Sequence, residues 1–251
     1  GQALITTSAT NLYEGVTQKE VEDYYAALKD TTDQTPVSYG LNSRVTKENG
    51  KVVEQVYKVG GLYSPAIEKI VYCLSEALKY AERPAQKAYI EKLIEYYQTG
   101  NLKTFDEYSI LWAGETESQV DFVNGFIESY DDPLGMTGNW ESIVNFKNNE
   151  ASHRTQIISE NAQWFEDNSP TDKRFKKENV KGVSAKVITA AILAGDAYPA
   201  TPIGINLPNS NWIRATYGSK SVSIENITDA YNMVAAGNGF NEEFAFSKEE
   251  V

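Results

Sequence analysis

The chain has 251 residues, with 23 Lys and Arg against 35 Asp and Glu, a net charge of −12 and a pI near 4.7. That balance, with no basic patch, argues against a nucleic-acid binder, and no run of about 18 apolar residues offers a membrane span. One cysteine, Cys73, and one histidine, His153, exclude an intramolecular disulfide framework, a Cys-rich zinc site and a His-pair metal site.

Thr17 to Glu20 reads as a capping box, and Val21, Tyr24, Tyr25 and Leu28 follow at the spacing of an amphipathic helix. Residues 45–57 read as a β-hairpin about Asn49-Gly50, because Asn-Gly takes the positive φ angles of a type I′ turn at little cost. Ser64-Pro65 predicts a helix start, with Ile67, Ile70, Val71, Leu74 and Leu78 inward and Cys73 packed or half-buried. Pro84 opens another helix, with Ile90, Leu93, Ile94 and Tyr97 inward and Gly100 as its C-cap. Thr104 with Glu107, and Thr116 with Gln119, read as two further capping boxes. The first starts a helix carrying Ile110, Leu111 and Trp112, and the second a helix carrying Val120, Val123, Phe126 and Ile127.

Residues 131–139 predict a turn-rich loop, and 148–167 one helix carrying His153, Ile157, Ile158, Ala162 and Phe165, ended by Pro170. The β-branched run from Val183 to Leu193 favours a strand. Residues 201–209 are extended, and Pro202 and Pro208 place them at a sheet edge or an opening. A last helix covers about 226–236. The sum is about seven helices around a few strands, an α+β fold, mainly helical with a small mixed or antiparallel β-core. Gly1 reads as a cleavage scar and 247–251 as the first residues of a truncated helix, so a piece of a longer protein is expected.

His153, among Asn149, Glu150, Ser152 and Arg154, reads as a surface histidine, the acidic pairs Asp131-Asp132 and Glu242-Glu243 as turn or helix caps, and the basic run 173–178 as a solvated face. Phosphate-binding glycine loops and a Gly-x-Ser-x-Gly elbow are absent. Two segments stand out. In 124–135, Glu128 and Tyr130 fall where a helix is expected to give way to a loop, a place where functional groups are often displayed. In 202–209, Asn206 and Asn209 flank a stiff extended backbone whose edge could accept a peptide by strand addition.

Together these segments resemble the dipeptidyl peptidase III family, zinc-dependent exopeptidases with two lobes, and most closely its bacterial branch. The resemblance rests on Gly40-Leu41-Asn42-Ser43, Tyr63-Ser64-Pro65-Ala66-Ile67, Gly125-Phe126-Ile127-Glu128-Ser129-Tyr130 with Asp132-Pro133, Pro202-Ile203-Gly204-Ile205-Asn206-Leu207-Pro208-Asn209, Arg214, and Ser221 to Asn226. It implies that Glu128 and Glu141 hold the free amino group of a peptide and that Tyr130 hydrogen-bonds the scissile carbonyl as a catalytic residue. Asn206 and Asn209 would anchor the peptide's N-terminus and backbone, Gly204 would pair with substrate backbone, and Arg214 would lie near its far end. Asp131 departs from the arginine of some members. The resemblance implies a lobe with a small barrel-like β-core formed by 1–148 and 187–251, and a helical excursion, 149–186, toward the other lobe.

An exopeptidase that releases dipeptides must measure two residues from an ammonium group, and a carboxylate with amide oxygens is a natural ammonium receptor. The family's zinc is held by a His-Glu-x-x-Gly-His motif and a later glutamate, neither of which occurs in these 251 residues. The expectation is therefore zinc in the parent protein and none in this chain. The chain would supply the peptide-binding side of the cleft and be inactive alone, with an oligopeptide and the C-terminal catalytic part as its partners. A non-catalytic peptide-binding protein that keeps the fold is the alternative. The single cysteine fits a cytoplasmic protein, or an exported bacterial one.

Overall fold

The computed structural model describes residues 4–180 and 184–237. In chain order the elements are α1 (Leu4–Thr7), β1 (Tyr13–Glu14), α2 (Gln18–Leu28), β2 (Ser43–Glu48), β3 (Lys51–Val56), α3 (Ser64–Ala77), α4 (Pro84–Thr99), α5 (Leu102–Gly114), β4 (Val120–Glu128), β5 (Asn139–Lys147), α6 (Asn149–Glu160), α7 (Ala162–Asn168), β6 (Ser184–Gly195), β7 (Gly204–Leu207), α8 (Asn211–Tyr217), β8 (Lys220–Ile224) and α9 (Glu225–Gly237). This is an α+β fold with two mixed sheets, β1-β2-β3 and β4-β5-β6-β8-β7.

Local chemistry accounts for the elements with strong signals. Thr17 Oγ1 accepts from the Glu20 N–H and the Thr17 N–H donates to the Glu20 carboxylate, so the capping box starts α2. Asn49 and Gly50 both have positive φ, 49° and 77°, and join β2 to β3 as a two-residue hairpin. Gly100, at φ 71°, closes α4 in the left-handed conformation. The inward faces expected of α3 and α4 are the ones that reach the main core.

The helices α4 and α5 lie over the five-stranded sheet, and the many tyrosines explain how polar strand residues are accommodated beneath them. Tyr89 donates to Asp121 Oδ1 at 2.9 Å, Tyr97 donates to Asn124 Oδ1, and Trp140 Nε1 donates to the Tyr97 hydroxyl at 2.9 Å. Each ring fills core volume while its hydroxyl satisfies a buried acceptor. Edge strand β4 is covered by side chains: Trp112 Nε1 reaches the Phe122 carbonyl and Gln86 Nε2 reaches that of Val120. Asp121 is met by Lys220 at 3.0 Å and Lys186 at 3.4 Å, all three buried, with Lys220 Nζ 4.0 Å from the centroid of the Trp112 ring.

Several expectations are corrected. Residues 120–127 form strand β4, not a helix. Apolar residues at 120, 123, 126 and 127 imitate helical spacing, but Val, Phe and Ile here pack on both faces of a buried sheet, where pairing with β5 decides the outcome. Asn101, not Thr104, caps α5, and Thr104 is buried within that helix. Tyr63, not Ser64, is the N-cap of α3. The long helix expected over 148–167 is two, because Asn161 leaves helical geometry between α6 and α7. Cys73 is exposed and lines an open cavity with Ile70 and Leu74. The sequence pattern marks none of α1, β1, β5, α8 and β8. Val183, Glu242-Glu243 and 247–251 lie outside the described residues.

The five-stranded sheet is open: β4 and β7 share no ladder. It curls enough for the two edges to approach, since Val123 and Ile127 of β4, Leu207 of β7 and Pro208 just after it line one cavity. Residues 202–209 thus sit at the sheet edge that their prolines required.

Candidate functional site

The curl brings the ends of the two edge strands together. Asn209 Nδ2 donates to Glu128 Oε1 at 3.2 Å, although the residues are 81 positions apart. A bulge between Phe126 and Glu128 changes the pairing of β4 with β5 immediately before Glu128 and so re-aims this side chain. Glu128 is therefore the last residue of a strand, not of a helix. Tyr130, two residues on, is 87% exposed, and Glu128, through its charge and a hydrogen bond, holds its phenol above the ordinary value.

Glu141 lies near the start of β5, an interior strand of the sheet. Its direct neighbours in the ladders are Gly125 on β4 and Gly195 on β6. Directly opposite residues are the closest same-face partners in a sheet, so two glycines leave this carboxylate without lateral side chains. It is only 5% exposed, and no described residue donates a hydrogen bond to it. Burial first, then the charges of Glu128 and Asp196, push its carboxyl up to about 7. Asp196 and Asp131 accept from one amide, Asn139 Nδ2, at 3.3 and 2.6 Å. The result is a cluster of negative charge around a largely buried carboxylate that receives no hydrogen bond from the described residues.

The neighbouring Asp132 has a different job. Its carboxylate accepts from the Tyr13 hydroxyl and from the N–H groups of Leu134, Met136 and Thr137, so it ties the 131–139 loop to β1. That is the turn-capping role read from the sequence.

On β7, Gly204 pairs with Ser223 and Asn206 with Ser221. The Ile224 N–H donates to the Ile203 carbonyl, which makes 203/224 a hydrogen-bonded pair. By the alternation of an antiparallel ladder, Gly204 and Asn206 then turn their N–H and C=O groups away from β8, toward the free edge. The Asn206 side chain is exposed. Arg214 is exposed on α8 and has no hydrogen bond or ion pair with the other named residues. The structure thus gathers Glu128, Tyr130, Glu141 and Asn209 at one end of the edge and places Gly204 and Asn206 along it, with Arg214 apart. Asp196 and Asn139 were missed. Both are ordinary turn residues in sequence, and only the β5–β6 register sets them beside Glu141.

Residues 4–249 match peptidase family M49. The chain belongs to this family. It is 32% identical over 182 residues to dipeptidyl peptidase 3 of Dictyostelium discoideum, covering 72% of this chain and 26% of that protein. It is 27% identical over 221 residues to the Mus musculus protein of the same name, covering 87% of this chain and 29% of that one. Among solved structures, dipeptidyl peptidase III from Caldithrix abyssi shares the fold with a TM-score of 0.75 at 22% identity, over 88% of this chain and 41% of that one. The enzyme from Corallococcus sp. strain EGB gives 0.71, over 88% and 40%. The chain thus spans little more than a quarter of the length of these curated relatives.

Among the described residues, no three His, Cys, Asp or Glu side chains are grouped to hold a metal ion. His153 stands on the exposed face of α6. The described side chains do not fit the three-ligand requirement of a catalytic zinc.

Proposed function

We propose that this chain forms the peptide-binding side of a dipeptidyl peptidase and receives the free amino terminus of an oligopeptide. The observation that carries the reading is Glu141, buried on interior strand β5 with no hydrogen-bond donor, beside Glu128 at the end of edge strand β4 and Asp196 after β6. An ammonium group entering there would supply the missing donor and offset the crowding of carboxylates. The peptide would run antiparallel to β7, with its amine near Glu128 and Asn209 and its backbone on the outward groups of Asn206 and Gly204. These positions are spaced by about 3.3 Å per residue, which gives the edge the character of a ruler. Tyr130, exposed beside Glu128, would hydrogen-bond the scissile carbonyl as it becomes an oxyanion. Zinc would belong to the parent enzyme, on residues other than those described.

The test is calorimetric titration of the chain with a tetrapeptide carrying a free or an acetylated N-terminus. The free peptide is expected to bind at least about tenfold more tightly, and Glu141→Gln to remove the difference. Equal binding of the two peptides sinks the reading.

A further inference from the structure

The gap where β4 and β7 fail to close contains a cavity of about 60 Å³, several times the ~10–15 Å³ that one water needs. Its walls are mainly apolar and aromatic, with Phe105, Trp112, Val123, Leu207 and Pro208 among them. Asp106 of α5 lines it as well. This residue is 5% exposed, and its Oδ2 is enclosed without a hydrogen-bond partner. Burial pushes the Asp106 carboxyl up to about 7.

The cation that acts on Asp106 from its own helix is committed elsewhere. Lys103 Nζ donates to the Thr35 carbonyl at 3.1 Å and to Thr35 Oγ1 at 2.9 Å, and lies 5.3 Å from the centroid of the Trp212 ring. Asp33 and Glu107 add further negative charge around the site. A buried carboxylate without a donor is costly to maintain, and no described side chain provides that donor. The complement of such a site is a cation on an apolar stem. Aromatic walls favour it through cation–π attraction, and the carboxylate through a charge-assisted hydrogen bond.

We propose that this cavity binds an alkylammonium group, with Asp106 as its counter-ion and Phe105 and Trp112 enclosing the stem. The site is separate from the amino-terminus site at Glu141, although Asn209 lines the cavity while its amide engages Glu128. The cation could be a small free amine or the side chain of a lysine in a peptide.

The experiment is calorimetric titration of the 251-residue chain with n-butylammonium chloride, with n-butanol, and with a lysine peptide blocked at both ends. Butylammonium is expected to bind at least about tenfold more tightly than butanol, and Asp106→Asn to lose at least about tenfold of that affinity. Binding of the blocked peptide as well assigns the site to lysine side chains, and binding of butylammonium alone assigns it to free amines. Ser109→Leu, which fills the cavity from α5 and leaves Asp106 in place, is expected to abolish binding and serves if Asp106→Asn does not fold. Equal affinity for butylammonium and butanol, no binding of butylammonium, or unchanged affinity in both variants overturns the proposal. The proposal is tested apart from the peptidase reading because Asp106→Asn and Ser109→Leu leave Glu141 untouched, and Glu141→Gln leaves Asp106 in place.

Discussion

Asn209 and Glu128 join the two open edges of the five-stranded sheet through a single hydrogen bond of 3.2 Å between side chains 81 residues apart. This bond orients the Asn209 amide so that its oxygen remains available as an acceptor, next to a carboxylate that can take a second donor. Asn209→Ala is expected to weaken binding of a free-amino tetrapeptide by about tenfold, the order of a hydrogen bond to a charged group. Binding of the acetylated peptide should change less. Calorimetry with the two peptides checks this, and equal losses for both would remove Asn209 from the amine site.

Tyr130 offers a cleaner separation of stability from chemistry. At 87% exposure it contributes almost nothing to packing, so Tyr130→Phe is expected to leave the unfolding free energy of the chain, measured in urea, within about 0.5 kcal/mol of wild type. In the complete peptidase the same change is expected to lower kcat by about 10²-fold, the usual effect of removing one oxyanion donor. An unchanged kcat would assign the phenol no part in the reaction.

Glu141 and Asp106 set a pH dependence with a definite sign. Both carboxyls are held at about 7 in the folded chain, above their ordinary values near 4. The folded state therefore binds more protons than the unfolded one between those limits. Their contribution to stability is fully present below about pH 4 and is lost as pH rises through 7. Urea unfolding from pH 4.5 to 8 should show this decline. Glu141→Gln is expected to remove part of the slope, and adding Asp106→Asn the rest. A slope unaffected by the double variant would contradict the assignment.

Asp121 is expected to be among the most sensitive positions for stability. It is the shared partner of Lys220, Lys186 and Tyr89, all buried. Asp121→Ala strands two ammonium groups away from water, and a loss of about 3–5 kcal/mol is expected. Chemical denaturation measures it directly. A loss below about 1 kcal/mol would mean that the lysines find water or other acceptors.

Gly195 tests the proposed amine site. Its φ is +64°, and a Cβ there would collide with the Trp140 carbonyl. Gly195→Ala is expected to cost more than the ~1–2 kcal/mol of left-handed backbone strain alone and to weaken free-amino peptide binding, because β5 must shift beside Glu141. Retention of both stability and binding would show that the strand accommodates the methyl group without moving the carboxylate.

What the sequence determined by itself was local or carried by resemblance. The capping box at Thr17, the Asn49-Gly50 turn and the Gly100 C-cap each depend on a few adjacent residues whose backbone preferences are strong, and each formed as expected. Pro202 and Pro208 likewise confined 202–209 to a sheet edge by removing donors. The family was legible in the Phe126 to Asp132 and Gly204 to Asn209 segments. Tertiary structure decided the rest. It made 120–127 a strand, because burial on both faces outweighs an accidental helical spacing. It split 148–167 at Asn161. It placed Gly125 and Gly195 opposite Glu141, and brought Asn209 to Glu128. Register and curl arise from pairings between residues dozens of positions apart, and no local preference encodes them. The family resemblance nominated Glu128 and Glu141 as an amine receptor, but the burial of Glu141 without a donor, on which that proposal rests, is a property of the folded sheet alone.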